Sequence, residues 1–379
     1  MHADFFRLFN DLIQLPSVSS ANRAFDMGNR PIIEHLATVF SALGFSCEVM
    51  DIAGQPHKAN LIATRGRGDG GLVLAGHTDT VPFDEKLWHV NPLQLTQKDG
   101  RLYGLGSTDM KGFFAVIHTA LQTFTASNFK HPLIIVATAD EESSMDGARA
   151  LVTQGRPRGR YAVIGEPTSL RPVNRHKGVM MERIHVQGKS GHSSNPALGH
   201  NALEAMHDII GDLLLLRTQL QRDYRNPHFV LDMPTLNLGV IHGGDNPNRI
   251  CGHCELEFDI RLLPGMASNN LRDTIRERIE PITKRHQVEF TFTPLFPGVE
   301  AFANHNDDLL RTCEKLTGYN AQSVSYGTEA PFLQQLGMDT IVLGPGSIDV
   351  AHQPDEYMEL GQVQPCIDIL RKLIEHYCL

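Results

Sequence analysis

The chain of 379 residues has a net charge of −9, with 20% charged and 41% hydrophobic residues, an ordinary balance for a globular protein with a sizeable core. Its Lys and Arg residues never gather into a long basic run, which argues against nucleic acid or an anionic membrane as a partner. No stretch reaches the roughly 18 apolar residues of a membrane span, and the length allows two domains or one large domain with an insertion.

The first twenty residues lack the basic start and apolar stretch of a secretory leader. They read as an amphipathic helix with Phe5, Phe6, Phe9, Leu12 and Ile13 on one side. The expectation is a cytoplasmic, reducing setting with the six scattered cysteines mostly free. Residues 31–43 read as a helix stopped by Gly44. "NLIATRG" and "GLVLAGH" flank "RGDGG" and read as a hairpin. Residues 109–124 are helical, "PLIIVATA" is a buried strand, "SMDGARALV" starts a helix, and "YAVIGEP" is a strand again. This alternation predicts an α/β sheet.

From about 178 the texture changes to strand, helix, two strands, helix and strand, a compact α+β unit. The domain reading is therefore 1–177 with 288–379, interrupted by an inserted unit at 178–287. Within that unit Cys251 and Cys254 have dithiol spacing. The residues after them alternate, with Leu256, Phe258, Ile260 and Leu262 apolar, so the segment reads as a half-buried strand and not as a redox helix.

The chemistry sits where strands end. "LVLAGHTDTVP" puts His77 just past a strand with Asp79 two residues on, and "LYGLGSTDMKG" puts Asp109 in a Gly-rich loop before a helix. "LIIVATADEES" ends an apolar run on Glu141 and Glu142, "AVIGEPT" places Glu166, and "IVLGPGSIDVAHQPDE" places His352. In open α/β sheets ligands bind outside the carboxyl ends of the strands. His77, Asp109, Glu142 and Glu166 are 32, 33 and 24 residues apart, about one βα unit each.

Imidazole and carboxylate donors suit Zn2+ and its first-row neighbours. Five such ligands exceed one tetrahedral ion and suit two, with a carboxylate bridging. Asp79 then accepts from the second ring nitrogen of His77 and fixes its tautomer. Two adjacent glutamates repel unless cations sit beside them, and a metal pair removes the conflict. One of the two is then a ligand, and the other is free to take a proton from water. Any single one of these residues is better explained as a helix cap or a surface charge; it is their convergence that points to a metal site.

"GHTDTVP", "YGLGSTDMKG", "TADEE", "GEPT" and "AHQPDE", in this order, resemble the co-catalytic metallopeptidase-like deacylases. That family includes acetylornithine deacetylases, succinyl-diaminopimelate desuccinylases and carboxypeptidases. "IGEPTSL", "TLNLGVIHGGD", "DIRLLPGM", "TEAPF" and "LGPGSIDVAHQPDEY" bring the acetylornithine deacetylase branch closest. The resemblance covers essentially the whole chain. It implies a hydrolase-like mixed-sheet catalytic domain with an inserted ferredoxin-like dimerisation domain.

For the site, the resemblance implies that Asp109 bridges two Zn2+ ions, with Co2+ as a substitute. His77 and Glu166 hold one ion, Glu142 and His352 the other. Glu141 is the general acid/base and Asp79 orients His77. His192, in "GKSGHSSNP", reaches the active site of the partner in a homodimer. Asn248 and Arg261 meet the substrate carboxylate, while Gly327 and Thr328 line the pocket. Arg261 lies on the charged face of its strand, where a guanidinium fork suits a carboxylate. Glu329 is a candidate partner for an ornithine-like amine, or a helix cap. The expected substrate is N2-acetyl-L-ornithine. The rivals are another acyl-amino-acid hydrolase of the same chemistry, and a metal-binding protein without catalysis.

Overall fold

The computed structural model describes residues 3–379. The chain forms two compact units. The first holds the chain up to Asn174 together with Asn304–Gln322 and Thr328–Leu379, and the second holds Arg175–Ala303 with Ser323–Gly327. The second unit is thus wider than the 178–287 read from the sequence.

A mixed sheet runs through the first unit in the order Ser46–Ile52, Gln55–Arg65, Leu133–Thr138, Leu72–His77, Tyr161–Ile164 and Asp339–Val342. The last four strands are parallel and the first two are antiparallel to their neighbours. Leu72–His77, Leu133–Thr138 and Tyr161–Ile164 are buried at every position. That is why they read as continuous apolar runs: a central parallel strand is covered on both faces.

The hairpin expected across "RGDGG" does not form. Leu133–Thr138 lies between the two strands, and Gln55–Arg65 makes its hairpin with Ser46–Ile52 instead. A strand buried on both faces needs a neighbour on each edge, and Leu72–His77 finds parallel ones. Ser46–Ile52 carried no strand signal because it is largely exposed, with only Met50 and Ile52 buried. The helix Lys111–Leu121, almost wholly buried, packs against the helices Ala3–Gln14 and Leu360–Cys378. The amphipathic face of Ala3–Gln14 is turned inward at Phe5, Leu8, Phe9, Leu12 and Ile13.

The second unit carries four antiparallel strands in the order Thr235–Gly243, His253–Leu262, Gly178–Gln187 and Glu289–Pro294. Helices Ala202–Asp223 and Ser268–His286 pack on this sheet. Element order and strand order are those of a ferredoxin-like unit. Strict alternation in His253–Leu262 buries Cys254, Leu256, Phe258, Ile260 and Leu262. The last strand lies beyond residue 287; it alternates, with Phe290 half-buried and Phe292 buried, but spans only six residues, and the unit runs past the boundary read from the sequence. Cys254 is a buried strand residue and its thiol is pushed up by burial, not activated. Among the described residues, no helix is long and apolar enough to cross a membrane.

Candidate metal centre

Three adjacent parallel strands deliver the site. Leu72–His77 ends on His77, Leu133–Thr138 leads into the Asp140–Met145 turn that carries Glu141 and Glu142, and Tyr161–Ile164 leads to Glu166. Their carboxyl ends therefore lie side by side, the place where α/β sheets bind ligands. Asp109 arrives on the loop before helix Lys111–Leu121. His352 arrives on the turn after Ile348–Val350, with a left-handed φ of 59°.

Asp109 stands between two halves. Its Oδ1 is 3.0 Å from His77 Nε2, and its Oδ2 is 3.2 Å from His352 Nε2. On one side Glu166 Oε1 lies 3.9 Å from His77 Nε2. On the other Glu142 Oε1 lies 2.9 Å from His352 Nε2. Ligand atoms bound at about 2.0–2.2 Å around a tetrahedral ion are themselves roughly 3–3.5 Å apart. The separations across Asp109 and between His352 and Glu142, 2.9–3.2 Å, are close to that size, and the Glu166 to His77 separation of 3.9 Å is longer.

Both glutamates of the pair come close. Ligand atoms of His77, Glu141 and Glu166 lie within 4.8 Å of one another, and so do those of His77, Asp109 and Glu142. What separates the two is His352. Glu142 is bonded to it, whereas Glu141 makes no hydrogen bond to any described residue. Asp79 works partly through its backbone. His77 Nδ1–H donates to the Asp79 carbonyl at 3.0 Å, with the carboxylate farther off at 3.6 Å. Either acceptor leaves Nε2 free for a metal. The Asp79 carboxylate instead takes the Glu142 N–H at 3.0 Å, tying the two loops together.

The electrostatics are those of a site short of positive charge. Burial, with the Glu166 carboxylate next, pushes Glu141 well above the usual carboxylate range. Burial and Asp109 do the same to Glu166, whose Oε1 is buried without a hydrogen-bond partner. Asp109 is pushed up by burial, but the bonds from His352 and His77 outweigh this and hold it low. His352 is raised to about 10 by its bonds to Asp109 and Glu142. Crowded carboxylates in a low-dielectric setting repel unless a cation joins them. The nitrogen and oxygen donors present, and the unpartnered Glu166 oxygen, fit a pair of divalent ions.

The remaining predicted residues divide between the units. Thr328 is 0% exposed, with its hydroxyl accepting from the Ala330 N–H at 3.1 Å. Glu329 is 1% exposed at the start of helix Ala330–Gln335, and burial raises it to about 7. It sits within the carboxylate cluster and not on an open wall, since Glu141 and Glu166 both feel its charge. In the second unit His192 and Asn248 meet on paired loops, through a His192–Arg249 bridge and a Ser193 N–H to Asn248 carbonyl bond of 3.1 Å. Arg261 gives Nε–H to Asp259 at 3.0 Å and keeps its other nitrogens. Gly327 belongs to this unit as well.

Lys58, Asp140 and Glu356 also shape the site, and no sequence signal singled them out. Lys58 Nζ bonds Asp140 at 2.6 Å and Asp26 at 2.8 Å beneath the turn of Glu141 and Glu142. These partners lie 82 and 32 residues away in the chain. Only "AHQPDE" contained a hint, since it ends on Glu356.

Residues 73–376 match the sequence model of peptidase family M20/M25/M40. The chain belongs to this family. Several solved structures resemble this M20 chain along its whole length. A metallo-carboxypeptidase of family M20, Sso-CP2 from Sulfolobus solfataricus, shares 16% identity at a TM-score of 0.77, over 100% of this chain and 99% of that one. The aminopeptidase PepT from Bacillus cereus shares 21% at 0.75, over 99% and 98%. The YXEP protein of Bacillus subtilis, described as a dinuclear metal binding peptidase, shares 16% at 0.69, over 97% and 96%. At such identities the likeness is one of fold, and the M20 chemistry of this chain rests on its own residues.

Proposed function

We propose that this M20 hydrolase is a zinc-dependent amide hydrolase that removes the acetyl group from N2-acetyl-L-ornithine, giving acetate and L-ornithine. One observation carries the amide-hydrolase reading: Glu141 makes neither a hydrogen bond nor an ion pair with any described residue, whereas Asp109 and Glu142 bond histidines, the Asp79 carboxylate takes the Glu142 N–H, and Glu166 lies 3.9 Å from His77. His77, Glu166 and Asp109 would hold one ion, and Asp109, Glu142 and His352 the other. When bound, the pair polarises the scissile carbonyl and acidifies the attacking water.

The chain's own groups do the rest. The Glu141 carboxylate takes a proton from the water as it attacks, then delivers it to the nitrogen of the departing amine, which must not leave as an amide anion. Asp79 holds the His77 ring through the Nδ1 contact. His192, supplied by a second copy of the chain in a homodimer, donates to the developing oxyanion. Asn248 and the free nitrogens of Arg261 receive the substrate carboxylate. The substrate assignment is supported by the segments around these residues, "TLNLGVIHGGD" and "DIRLLPGM", which resemble the acetylornithine deacetylase branch.

A second reading, a peptidase or broader acyl-amino-acid hydrolase, is favoured by the likeness to an aminopeptidase and a metallo-carboxypeptidase. Glu329 bears on the choice. An acid so enclosed serves the substrate amine only if that amine enters the carboxylate cluster. Turnover of acetylornithine, acetylmethionine, succinyl-diaminopimelate and a dipeptide, side by side and before and after chelation, separates the readings. Acetylornithine leading by at least about tenfold, roughly 1.4 kcal/mol of transition-state preference, supports the first. Faster dipeptide cleavage rejects it, and chelator-resistant turnover rejects both.

A further inference from the structure

Glu356 lies four residues beyond His352 and is buried. Its carboxylate is wrapped by the loop that carries Asp109. Oε2 accepts the Gly106 N–H at 2.9 Å, while Oε1 accepts the Thr108 N–H at 2.7 Å and the Asp109 N–H at 2.9 Å. The Glu356 carbonyl takes the Gly104 N–H at 3.1 Å, so both ends of the loop close on one residue. Gly106 makes this curl at φ 76°, where an added Cβ would strike Thr80 and Lys111 side chains. Three main-chain donors on one carboxylate form an anion nest that the chain fills itself.

A ring of contacts results. Chain connectivity links His352 to Glu356, hydrogen bonds link Glu356 to the Asp109 backbone, and Asp109 Oδ2 returns to His352 Nε2. The two histidines differ in how much they need such a tether. His77 ends a central strand and is wholly enclosed. His352 sits on a turn and its side chain is 50% exposed. The position of His77 is set by the sheet, whereas that of His352 depends on what anchors its loop.

We propose that Glu356 is a positioning residue that fixes Asp109 against His352 and so selectively sustains the ion held on the His352 side. This rests on the metal-pair reading above. A glutamine at 356 keeps the size but turns one acceptor into an NH2 donor, which then faces N–H groups of the Asp109 loop.

The test is stepwise Zn2+ titration by calorimetry, with fold checked by the melting temperature of the metal-free protein. Wild type is compared with Glu356→Gln, and His352→Ala identifies the binding step that His352 serves. Glu356→Gln is expected to weaken that step by roughly 10–100-fold and to leave the other within about twofold, as outer-shell changes do. It is also expected to recover kcat at saturating Zn2+. Equal weakening of both steps, or of neither, overturns the proposal and leaves the metal pair standing. A wild-type chain with no second step overturns the pair itself. Should Glu356→Gln not fold, Glu356→Asp, which keeps the charge but is one methylene too short, is read by the same criteria.

Discussion

The second unit and the carboxylate cluster of the first treat their acids in opposite ways. In the second, the main buried or half-buried carboxylates have cations of the same unit: Glu182 meets Arg272 at 2.8 Å, Glu257 meets Arg183 at 2.6 Å, and Asp212 meets Arg278 at 2.7 Å. In the first, Glu141, Glu142, Glu166, Asp109 and Asp79 gather around two histidines, and among the described residues no arginine or lysine bonds them. Burying charge without a counterion is costly. The contrast marks one unit as electrically self-sufficient and the other as completed by ions from outside.

The largest effect should come from the acid with neither a hydrogen bond nor an ion pair. Glu141→Ala is expected to lower kcat by about 10²–10⁴, the usual worth of general acid–base catalysis, while both ions stay bound. Metal loss of the same size as the rate loss would make Glu141 a ligand instead. Next, His192→Ala is expected to cost kcat about 10²-fold, in the range of a lost oxyanion donor, with metal content unchanged. An unaltered kcat would leave His192 an ordinary exposed residue.

The contrast also explains what could be read in advance. His77, Glu141, Glu142 and Glu166 were legible because a buried parallel strand is an unbroken apolar run, and a charge at its carboxyl end stands out. The inserted unit was legible in His253–Leu262, where burial alternates residue by residue. What escaped was non-local. Nothing in "NLIATRG" or "GLVLAGH" shows that Leu133–Thr138 will lie between them, because strand order depends on which buried strand finds which edge. Lys58 looked like any strand lysine, and only the fold brings Asp140 to it. The end of the second unit was missed because Glu289–Pro294 is short, with only Phe290 and Phe292 turned to the core, and it follows the helix that the sequence pattern took as the limit.

Two smaller effects sharpen the comparison from the other side. Arg272→Met strands the buried Glu182 carboxylate and is expected to cost about 3 kcal/mol of stability, read by denaturant unfolding, with zinc content untouched. A change in zinc content would deny that the units keep separate electrostatics. Asp208 is held down at about 2, first by His286, then by His207 and Arg285. Its folded value lies below that of an ordinary aspartate, so its stabilising effect is present above about pH 4 and fades as pH falls towards 2. Asp208→Asn should therefore narrow the stability difference between pH 5 and pH 2.5 only slightly, because the group is exposed to solvent. A large change there would mean that this surface cluster matters more than its exposure allows.

The central claim is that the carboxyl ends of three strands and two loops grip a pair of divalent cations. Anomalous diffraction at the zinc edge, from crystals grown with Zn2+, tests it most directly. Two peaks are predicted, one on either side of Asp109, flanked by His77 with Glu166 and by His352 with Glu142. An empty site, or peaks remote from Asp109, would contradict the account.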